Sequence, residues 1–318
     1  MKNRFIRIFA IVLCLAVTLG GLSACDSNQA EPNESIITFT DALGRTVSLE
    51  KEPERVAALI GSFADVWALS GGTVCATVED AWDDFGLELP DAANIGGAHS
   101  PNLERLLSAD PDFVIASAST SSNVEMKEIL EAAGITVAYF DVDNFYDYLD
   151  MLAIFTDITG RKDLFEQNGL ALQRQIEGIK AELAECALPE EERTVLLLRA
   201  HSGSVKAKGS EGTILGEMLA DLGCINIADS DTSLLDAISI ESIIRQEPHH
   251  IFVVTMGDDT EKAMGNLYQM MNENPAWGML DAVAEGRLYV MDRKLFNIKP
   301  NVRWAESYET LSTLLRSE

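Results

Sequence analysis

The feature that most constrains the fold of this chain is a long helical pattern that contains no strand, residues 161–186. Apolar residues recur along it at the spacing of one helix face; they are Leu164, Leu170, Leu172, Ile176, Ile179 and Leu183. A Leu-Pro step and several glutamates then end the pattern. Because strand and helix patterns alternate on both sides of it, we expect two halves joined by one helix.

The part of the chain before this helix predicts a parallel sheet. Short runs rich in Val, Ile or Ala are typical of strands buried on both faces, and they occur at residues 55–60, 73–78, 113–117 and 136–140. Helical patterns separate these runs, at residues 62–69, 102–108, 124–133 and 144–160. An alternating segment at residues 36–50, with its turn at residues 43–45, predicts an opening β-hairpin.

The same alternation resumes after the long helix. Strand patterns lie at residues 194–198, 251–255 and 287–291, and helical patterns at 213–222, 239–246 and from Trp304 onward. The predicted fold class is therefore α/β, with two parallel-sheet lobes bridged by a single long helix. The predicted boundaries are 36–160 for the first lobe, 161–187 for the bridging helix and 188–318 for the second lobe. Ligands of such sheets bind beyond the carboxyl ends of the strands, so we predict a ligand cleft between the lobes.

The beginning of the chain carries an export signal. Basic residues at the start of the chain precede an apolar run at residues 8–22. This run is shorter than a typical transmembrane helix. Small residues lead from this run to Cys25, an arrangement that resembles the lipobox of bacterial lipoproteins. The resemblance implies removal of residues 1–24, lipidation of Cys25 and anchoring to the outer face of the cell membrane. Polar residues 25–35 are predicted to be a flexible tether; an ordinary signal peptide is the alternative.

Net charge and cysteine usage exclude several classes of protein. The formal charge is −27, and it becomes −30 without the three basic residues of the signal. So acidic a protein repels phosphate backbones, which argues against nucleic-acid binding. Beyond Cys25, only Cys75, Cys186 and Cys224 remain, and their spacing gives neither a disulfide framework nor a metal motif.

Five motifs, in order along the chain, carry a resemblance to a known family. They are residues 41–47 (DALGRTV), 101–107 with 110–115 (PNLERLL and DPDFVI), 209–223 (GSEGTILGEMLADLG), 274–277 (NPAW) and 286–290 (GRLYV). Together they are similar to the class III substrate-binding proteins of ABC transporters, which serve uptake of ferric siderophores, haem and cobalamin. The resemblance implies two lobes joined by one helix, a monomeric receptor without an intrinsic cofactor, and an ABC permease with its ATPase as partners.

The resemblance also implies a docking residue on each lobe. In this family an acidic residue of each lobe enters a basic pocket of the permease. The matching positions are Glu104 and Glu241, each in the first turn of a predicted helix. A glutamate there is also favoured by the helix dipole, which is the alternative explanation.

Two segments of the second lobe, residues 199–208 and 293–303, are basic and contain no acidic residue. Each begins where a predicted strand ends, and a basic patch there would concentrate an anionic ligand. We therefore predict ligand contacts from Arg199, Lys206, Lys208, Arg293 and Lys294. The alternative is that some of these cations pair with neighbouring carboxylates.

Histidine and methionine positions bear on a metal in the cleft. His99 and His201 lie in loops, one on each lobe, and Met256 ends a predicted strand. Two cleft histidines are too few for a dedicated bare-metal receptor, which usually offers three or four ligands. Each of the three side chains could ligate haem iron or contact a chelate. His99 and His201 are the metal-ligand candidates if iron is ligated directly.

Aromatic residues supply apolar contacts for a large chelate. Phe63, Trp82 and Phe296 are predicted in loops after strands, and we assign them to the ligand site. Packing in the core of each lobe is the alternative.

The predicted function is a lipid-anchored receptor that captures an iron chelate, either a ferric siderophore or haem, and delivers it to an ABC importer without catalysis. A cobalamin or corrinoid receptor of the same family and a surface lipoprotein for adhesion or scaffolding remain alternatives. An exported hydrolase is disfavoured, because the sequence has neither Gly-x-Ser-x-Gly nor His-Glu-x-x-His.

Overall fold

The computed structural model describes residues 36–50, 52–257 and 259–317, with Glu50 described for its backbone alone. Residues 35–318 form one compact unit. The predicted signal at residues 1–24, lipidated Cys25 and the tether at residues 25–35 lie outside the described residues. None of the helices in the described part is long and apolar enough to cross a membrane.

The described chain opens with an antiparallel hairpin of β1 (Ile36–Thr40) and β2 (Thr46–Glu50), as the alternation predicts. Its turn is held by Asp41, whose carboxylate accepts hydrogen bonds from the backbone of Leu43 and Arg45. Burial alone would raise the pKa of Asp41, but hydrogen bonds from Arg45 and Tyr139 bring it below its usual value. The Arg45 guanidinium also donates to the carbonyl of Val137, which joins the hairpin to the first sheet.

The first lobe is built on a five-stranded parallel sheet with the order β5-β4-β3-β6-β7. Its strands are β3 (Val56–Ala58), β4 (Val74–Thr77), β5 (Ala93–Asn94), β6 (Phe113–Ser117) and β7 (Thr136–Phe140). Its helices are α1 (Gly61–Leu69), α2 (Asp80–Asp83), α3 (Leu103–Ser108), α4 (Ser121–Glu125), α5 (Lys127–Ala132) and α6 (Phe145–Ile158). The helical pattern at residues 124–133 thus forms two short helices rather than one.

The stretch between the two sheets is helical throughout, but one turn of it is not α-helical. Helix α7 (Lys162–Phe165) passes through a π-helical turn, Glu166–Leu170, into α8 (Ala171–Glu185). Asn168 in this turn donates to the carbonyl of Leu69 and accepts at its own carbonyl from Tyr148, so the turn is fastened to the first lobe. A Cβ at Gly169 would lie 2.9 Å from Cδ1 of Leu149, so a larger residue there would require the Leu149 side chain to move.

The second lobe has a sheet of four parallel strands, in the order β10-β8-β11-β12, and one antiparallel strand, β9, beside β8. The strands are β8 (Thr194–His201), β9 (Ser204–Lys208), β10 (Ile225–Asn226), β11 (His250–Met256) and β12 (Leu288–Val290). The helices are α9 (Ile214–Asp221), α10 (Ile227–Ser230), α11 (Ser233–Asp236), α12 (Ile240–Gln246), α13 (Thr260–Glu273), α14 (Asp281–Ala284), α15 (Arg293–Phe296) and α16 (Trp304–Leu315). Short 3₁₀ turns are Glu191–Arg193, Pro275–Met279 and Asn301–Arg303.

Three apolar clusters stabilise these lobes. One lies under the first sheet and a second lies under the second sheet. The third and largest takes members from both sheets, including Phe113 and Phe140 of the first and Leu197 and Phe252 of the second. The two lobes therefore share a continuous apolar core.

The imidazole of His250, at the amino end of β11, is a buried polar group. It is 1% exposed and packs on the rings of His249, Phe252 and Tyr289. Neither of its ring nitrogens has a hydrogen-bond partner within the described residues. Burial, with the nearby His249 and Arg287, lowers the pKa of His250 to about 4.

We predict that His250→Phe makes the protein more resistant to acid. Because the folded-state pKa of His250 lies below its ordinary 6.5, the unfolded chain binds more protons as pH falls from 6.5 towards 4. The wild type should therefore lose about 2 kcal/mol of stability through this residue between pH 7.5 and pH 5, and the variant should not. Urea unfolding of both proteins at the two pH values measures the difference. Equal losses of stability in both proteins would show that His250 is not the group responsible.

Candidate functional site

The carboxyl ends of the strands of the two sheets face each other. Arg293 follows β12 in the second lobe, and its guanidinium donates to both oxygens of Asp84, which follows β4 and α2 in the first lobe, at 2.6 and 3.1 Å. Asn301 of the second lobe donates to the carbonyl of Ser62, in α1, at 2.9 Å. Because α1 follows β3, these contacts join the carboxyl edges of both sheets. A ligand cleft between the lobes is predicted at this edge, and it stays a prediction.

A cluster of cations lines the second-lobe side of this cleft. Arg199 of β8 stands opposite Lys206 of β9, and Lys208 stands opposite Leu197. Partners across strands project to the same face of a sheet, and Leu196, Leu198 and Ala200 occupy the other face in the second-lobe core. Arg199, Lys206 and Lys208 therefore project from one face, at its carboxyl edge.

The predicted local structure of this cluster is wrong in one respect. The basic segment at residues 199–208 was expected to follow a strand that ends at Leu198, but β8 continues to His201. The chain then turns at Ser202 and Gly203 and returns as β9. The physical reason is that Arg199 occupies a strand position whose side chain leaves the core, so the apolar run stops before the strand does.

No counterion of this cluster is found in the described part of the chain. Among the described residues, no carboxylate forms an ion pair with Arg199, Lys206 or Lys208, and the buried Nε of Arg199 has no hydrogen-bond partner. Burial lowers the pKa of Arg199. Burial, together with the charges of Arg199 and Lys206, lowers the pKa of Lys208. Cations held together in this way are stabilised when an anion arrives among them.

Lys299 adds a fourth positive charge between the lobes. Burial lowers its pKa, the carboxylates of Asp143 and Asp141 act in the opposite direction, and Arg199 lowers it further. Asp141 and Asp143 follow β7 of the first lobe. Burial raises the pKa of Asp143, as does Asp141, while Lys299 lowers it. Lys299 is therefore a cation of the second lobe that interacts with acidic groups of the first lobe.

His201 and Met256 lie beside this cluster. They are partners across β8 and β11, and His201 projects from the same face as Arg199, two residues away. The His201 ring lies next to Gly257, where a Cβ would be 3.6 Å from Nε2. Met256 is 38% exposed. The structure thus brings five of the predicted contact residues together at one sheet edge.

The metal assignment of His99 and His201 stays a prediction. His99 lies in the loop after β5, on the first lobe, and is exposed. Within the described part of the chain, no group of three or more His, Cys, Asp or Glu side chains is placed to hold a metal ion.

Arg293 and Lys294 lie in the cleft, but first-lobe groups already contact them. Arg293 pairs with Asp84, and Nζ of Lys294 donates to the Asp84 carbonyl at 2.8 Å. Their contact with ligand stays a prediction. Pairing with a carboxylate was the stated alternative for these cations, but sequence patterns did not identify the partner, because Asp84 lies in the other lobe.

The three predicted aromatic contacts do not lie in loops, which corrects that expectation. Phe63 is in α1, Trp82 in α2 and Phe296 in α15. The rings of Phe63 and Phe296 are each 2% exposed and pack in the shared core, because these helices start directly after their strands and turn the rings inward. Trp82 is half-buried. The aromatic assignment gains no support from Phe63 and Phe296 in this structure.

Asn301 is a cleft residue that sequence reasoning missed. It is 1% exposed and has a φ of 50°, a conformation that asparagine tolerates better than most residues. Besides its bond to Ser62, its amide donates to Oδ2 of Asp65 at 2.8 Å. Burial raises the pKa of Asp65, and the bond from Asn301 lowers it. The Pro-Asn step could have indicated a special turn, but not its partners.

The two predicted docking glutamates occupy equivalent places in the two lobes. Glu104 is in the first turn of α3, which leads into β6, and Glu241 is in the first turn of α12, which leads into β11. A helix that leads into a parallel strand runs antiparallel to it, so both first turns lie at the carboxyl edge of their sheets. Both glutamates are exposed, and none of the ion pairs of the described residues includes either one.

Comparison with known proteins agrees with this architecture. The periplasmic binding protein family model matches residues 56–295, and the chain belongs to this family. The chain is 25% identical to the Fe(3+)-citrate-binding protein YfmC of Bacillus subtilis over 92% of this chain and 90% of YfmC. It is also 25% identical to a cobalamin-binding protein of Halobacterium salinarum over 96% of this chain and 85% of that one.

A solved structure shows the same fold. Staphylococcus aureus SirA, crystallised with staphyloferrin B, superposes with a TM-score of 0.67 at 19% identity, covering 87% of this chain and 96% of SirA. The predicted fold class, α/β with two parallel-sheet lobes bridged by a single long helix, is confirmed, and the bridging helix contains one π-helical turn.

Proposed function

We propose that this protein is the substrate-binding receptor of an ABC importer and that it captures an anionic iron chelate between its lobes. The observation that supports this most directly is the cluster of Arg199, Lys206 and Lys208 on one sheet face, with no carboxylate paired to it among the described residues. Such cations offer charge-assisted hydrogen bonds to a ligand that brings its own negative charge. Lys299 is set apart from this cluster, because the first-lobe carboxylates of Asp143 and Asp141 act on it.

The relatives support iron as the cargo. YfmC is named an Fe(3+)-citrate-binding protein, and SirA was crystallised with staphyloferrin B. Iron chelates rich in carboxylates are complementary in charge to the cluster of Arg199, Lys206 and Lys208. This cluster would not select a ligand without negative charge. This charge argument favours an anionic ferric chelate over a cobalamin as the ligand.

The remaining parts of the proposal concern the cell. Lipidation of Cys25 would hold the receptor at the outer face of the membrane, as a monomer on a short tether. Glu104 and Glu241, at the same edge as the cleft mouth, would dock on the permease, whose ATPase drives transport. In this role the protein binds and releases its ligand and carries out no reaction on it.

A binding titration tests the proposal. Residues 26–318, which contain the whole compact unit, are titrated by tryptophan fluorescence with ferric citrate, ferrichrome, haem and cobalamin, and with iron-free citrate as a control. We expect saturable one-to-one binding of the anionic ferric chelate and weaker binding of neutral ferrichrome. Preferred binding of cobalamin would favour the corrinoid receptor. No binding of any member would favour the scaffold or adhesion alternative.

A further inference from the structure

The ion pair between Arg293 and Asp84 engages one of the cations that we predict to contact the ligand. The guanidinium donates through both Nη atoms to the two carboxylate oxygens, the fork-to-fork geometry in which arginine also binds the carboxylates of ligands. Both side chains are partly shielded from solvent, with 26% of Arg293 and 17% of Asp84 exposed. The contact therefore has the form of a ligand carboxylate bound by arginine.

The neighbouring contacts fix Asp84 in this position. Nζ of Lys294 donates to the carbonyl of Asp84 at 2.8 Å and lies 3.4 Å from that of Asp83. These carbonyls lie at the end of α2, so a lysine there also stabilises the helix end. The carboxylate of Asp83 is exposed and takes part in no ion pair within the part of the chain that the structure describes. The two adjacent aspartates thus differ in burial and in the ion pair with Arg293, which only Asp84 forms.

We infer that Asp84 acts as an internal competitor for the ligand: its carboxylate occupies Arg293 in the ligand-free receptor and must be displaced by an anionic group of the chelate. This inference rests on the proposed function. A ligand with several negative charges recovers the energy of the broken ion pair through its own bonds to Arg293. A neutral ligand cannot do so. Asp84 therefore sets a minimum charge for ligands and makes the receptor selective for polyanionic chelates.

The variant Asp84→Asn tests this competition, because it keeps the shape of the side chain and removes its charge. We expect ferric citrate to bind about tenfold more tightly to the variant, the effect of one released charge-assisted contact, and ferrichrome to bind equally to both proteins. Asp83→Asn is the matched control, since it makes the same change in net charge without touching Arg293. Its affinity for ferric citrate should stay within about twofold of the wild type, because the charge it removes is exposed and screened.

A second measurement reports the accessibility of the Arg293 guanidinium in the absence of ligand. Phenylglyoxal modifies accessible arginines, and peptide mass spectrometry gives the rate at each one. Arg293 should react several-fold faster in Asp84→Asn than in the wild type or in Asp83→Asn, whereas Arg316, exposed on the last turn of the chain, should react equally in all three.

The outcomes separate this inference from the proposed function. Equal labelling of Arg293 in all proteins, or equal or weaker binding of ferric citrate by Asp84→Asn, would overturn the competition. An equal gain in affinity for ferric citrate in Asp83→Asn would also overturn the competition, because the change in net charge alone would then explain the tighter binding. Absence of chelate binding by every protein would count against the proposed function, and the labelling rates would still decide whether Asp84 occupies Arg293.

Discussion

Replacement of Glu104 and Glu241 together by alanine should abolish uptake of the iron chelate in cells while the affinity of the purified receptor stays unchanged. Each glutamate is exposed in the first turn of a helix at the carboxyl edge of its sheet, one on each lobe. A carboxylate in that place stabilises its own helix by only about 0.3–1 kcal/mol. The variant should therefore fold normally and lose its contacts with the permease.

Transport of radioactive iron into cells that depend on this receptor measures the loss, and fluorescence titration measures the affinity. Each single variant should retain part of the transport, because the other lobe still docks. The matched control is Glu128→Ala with Glu309→Ala, which removes two exposed glutamates from α5 and α16. Weakened ligand binding by the purified double variant at Glu104 and Glu241 would show that these residues act in the ligand site or the fold instead.

Removal of two charges from the cation cluster should have the second largest effect. Arg199→Gln with Lys208→Gln leaves two shorter, uncharged polar side chains on the same sheet face. If each cation contributes about 1.4 kcal/mol to an anionic ligand, affinity for ferric citrate falls roughly 100-fold. Affinity for a neutral chelate such as ferrichrome should change little. Fluorescence titration of both ligands gives the comparison.

The control for this variant removes two exposed cations elsewhere, Arg174→Gln on α8 and Arg316→Gln at the end of α16. It makes the same change in net charge, so its affinity for ferric citrate should stay near that of the wild type. The double variant should also be at least as stable as the wild type, since it relieves repulsion among Arg199, Lys206 and Lys208. Unchanged ligand affinity in the double variant would mean that the cluster is not the anion site.

Local patterns predicted most of the sheet framework. Buried parallel strands are apolar runs, and the runs at residues 113–117 and 136–140 match β6 and β7 residue for residue. The turn of the opening hairpin was visible because Gly44 adopts the positive φ that such a turn needs. The π-helical turn was not visible, since it depends on how Asn168 and Gly169 fit against the first lobe.

The sequence allowed a prediction of which residues form the candidate site, but not of which residues they pair with. The acid-free segment at residues 199–208 indicated a positive surface, and the structure places its cations on one face. The partners of Arg293 and Asn301 could not be found in the same way. Asp84 lies 209 residues from Arg293, and Ser62 lies 239 residues from Asn301, so only the folded arrangement of the lobes brings them together. Sequence patterns describe neighbours along the chain, and these contacts form across the cleft.

The apolar core shared by the two lobes has a consequence for how receptors of this kind can diversify. Since Phe113 and Phe140 of one sheet pack in the same cluster as Leu197 and Phe252 of the other, neither lobe is a self-contained module. A lobe exchanged with that of a relative would bring a mismatched half of the core, at the cost of cavities or overpacking. New ligand preferences are therefore reached more readily through surface residues at the sheet edges, one substitution at a time, than through recombination of lobes.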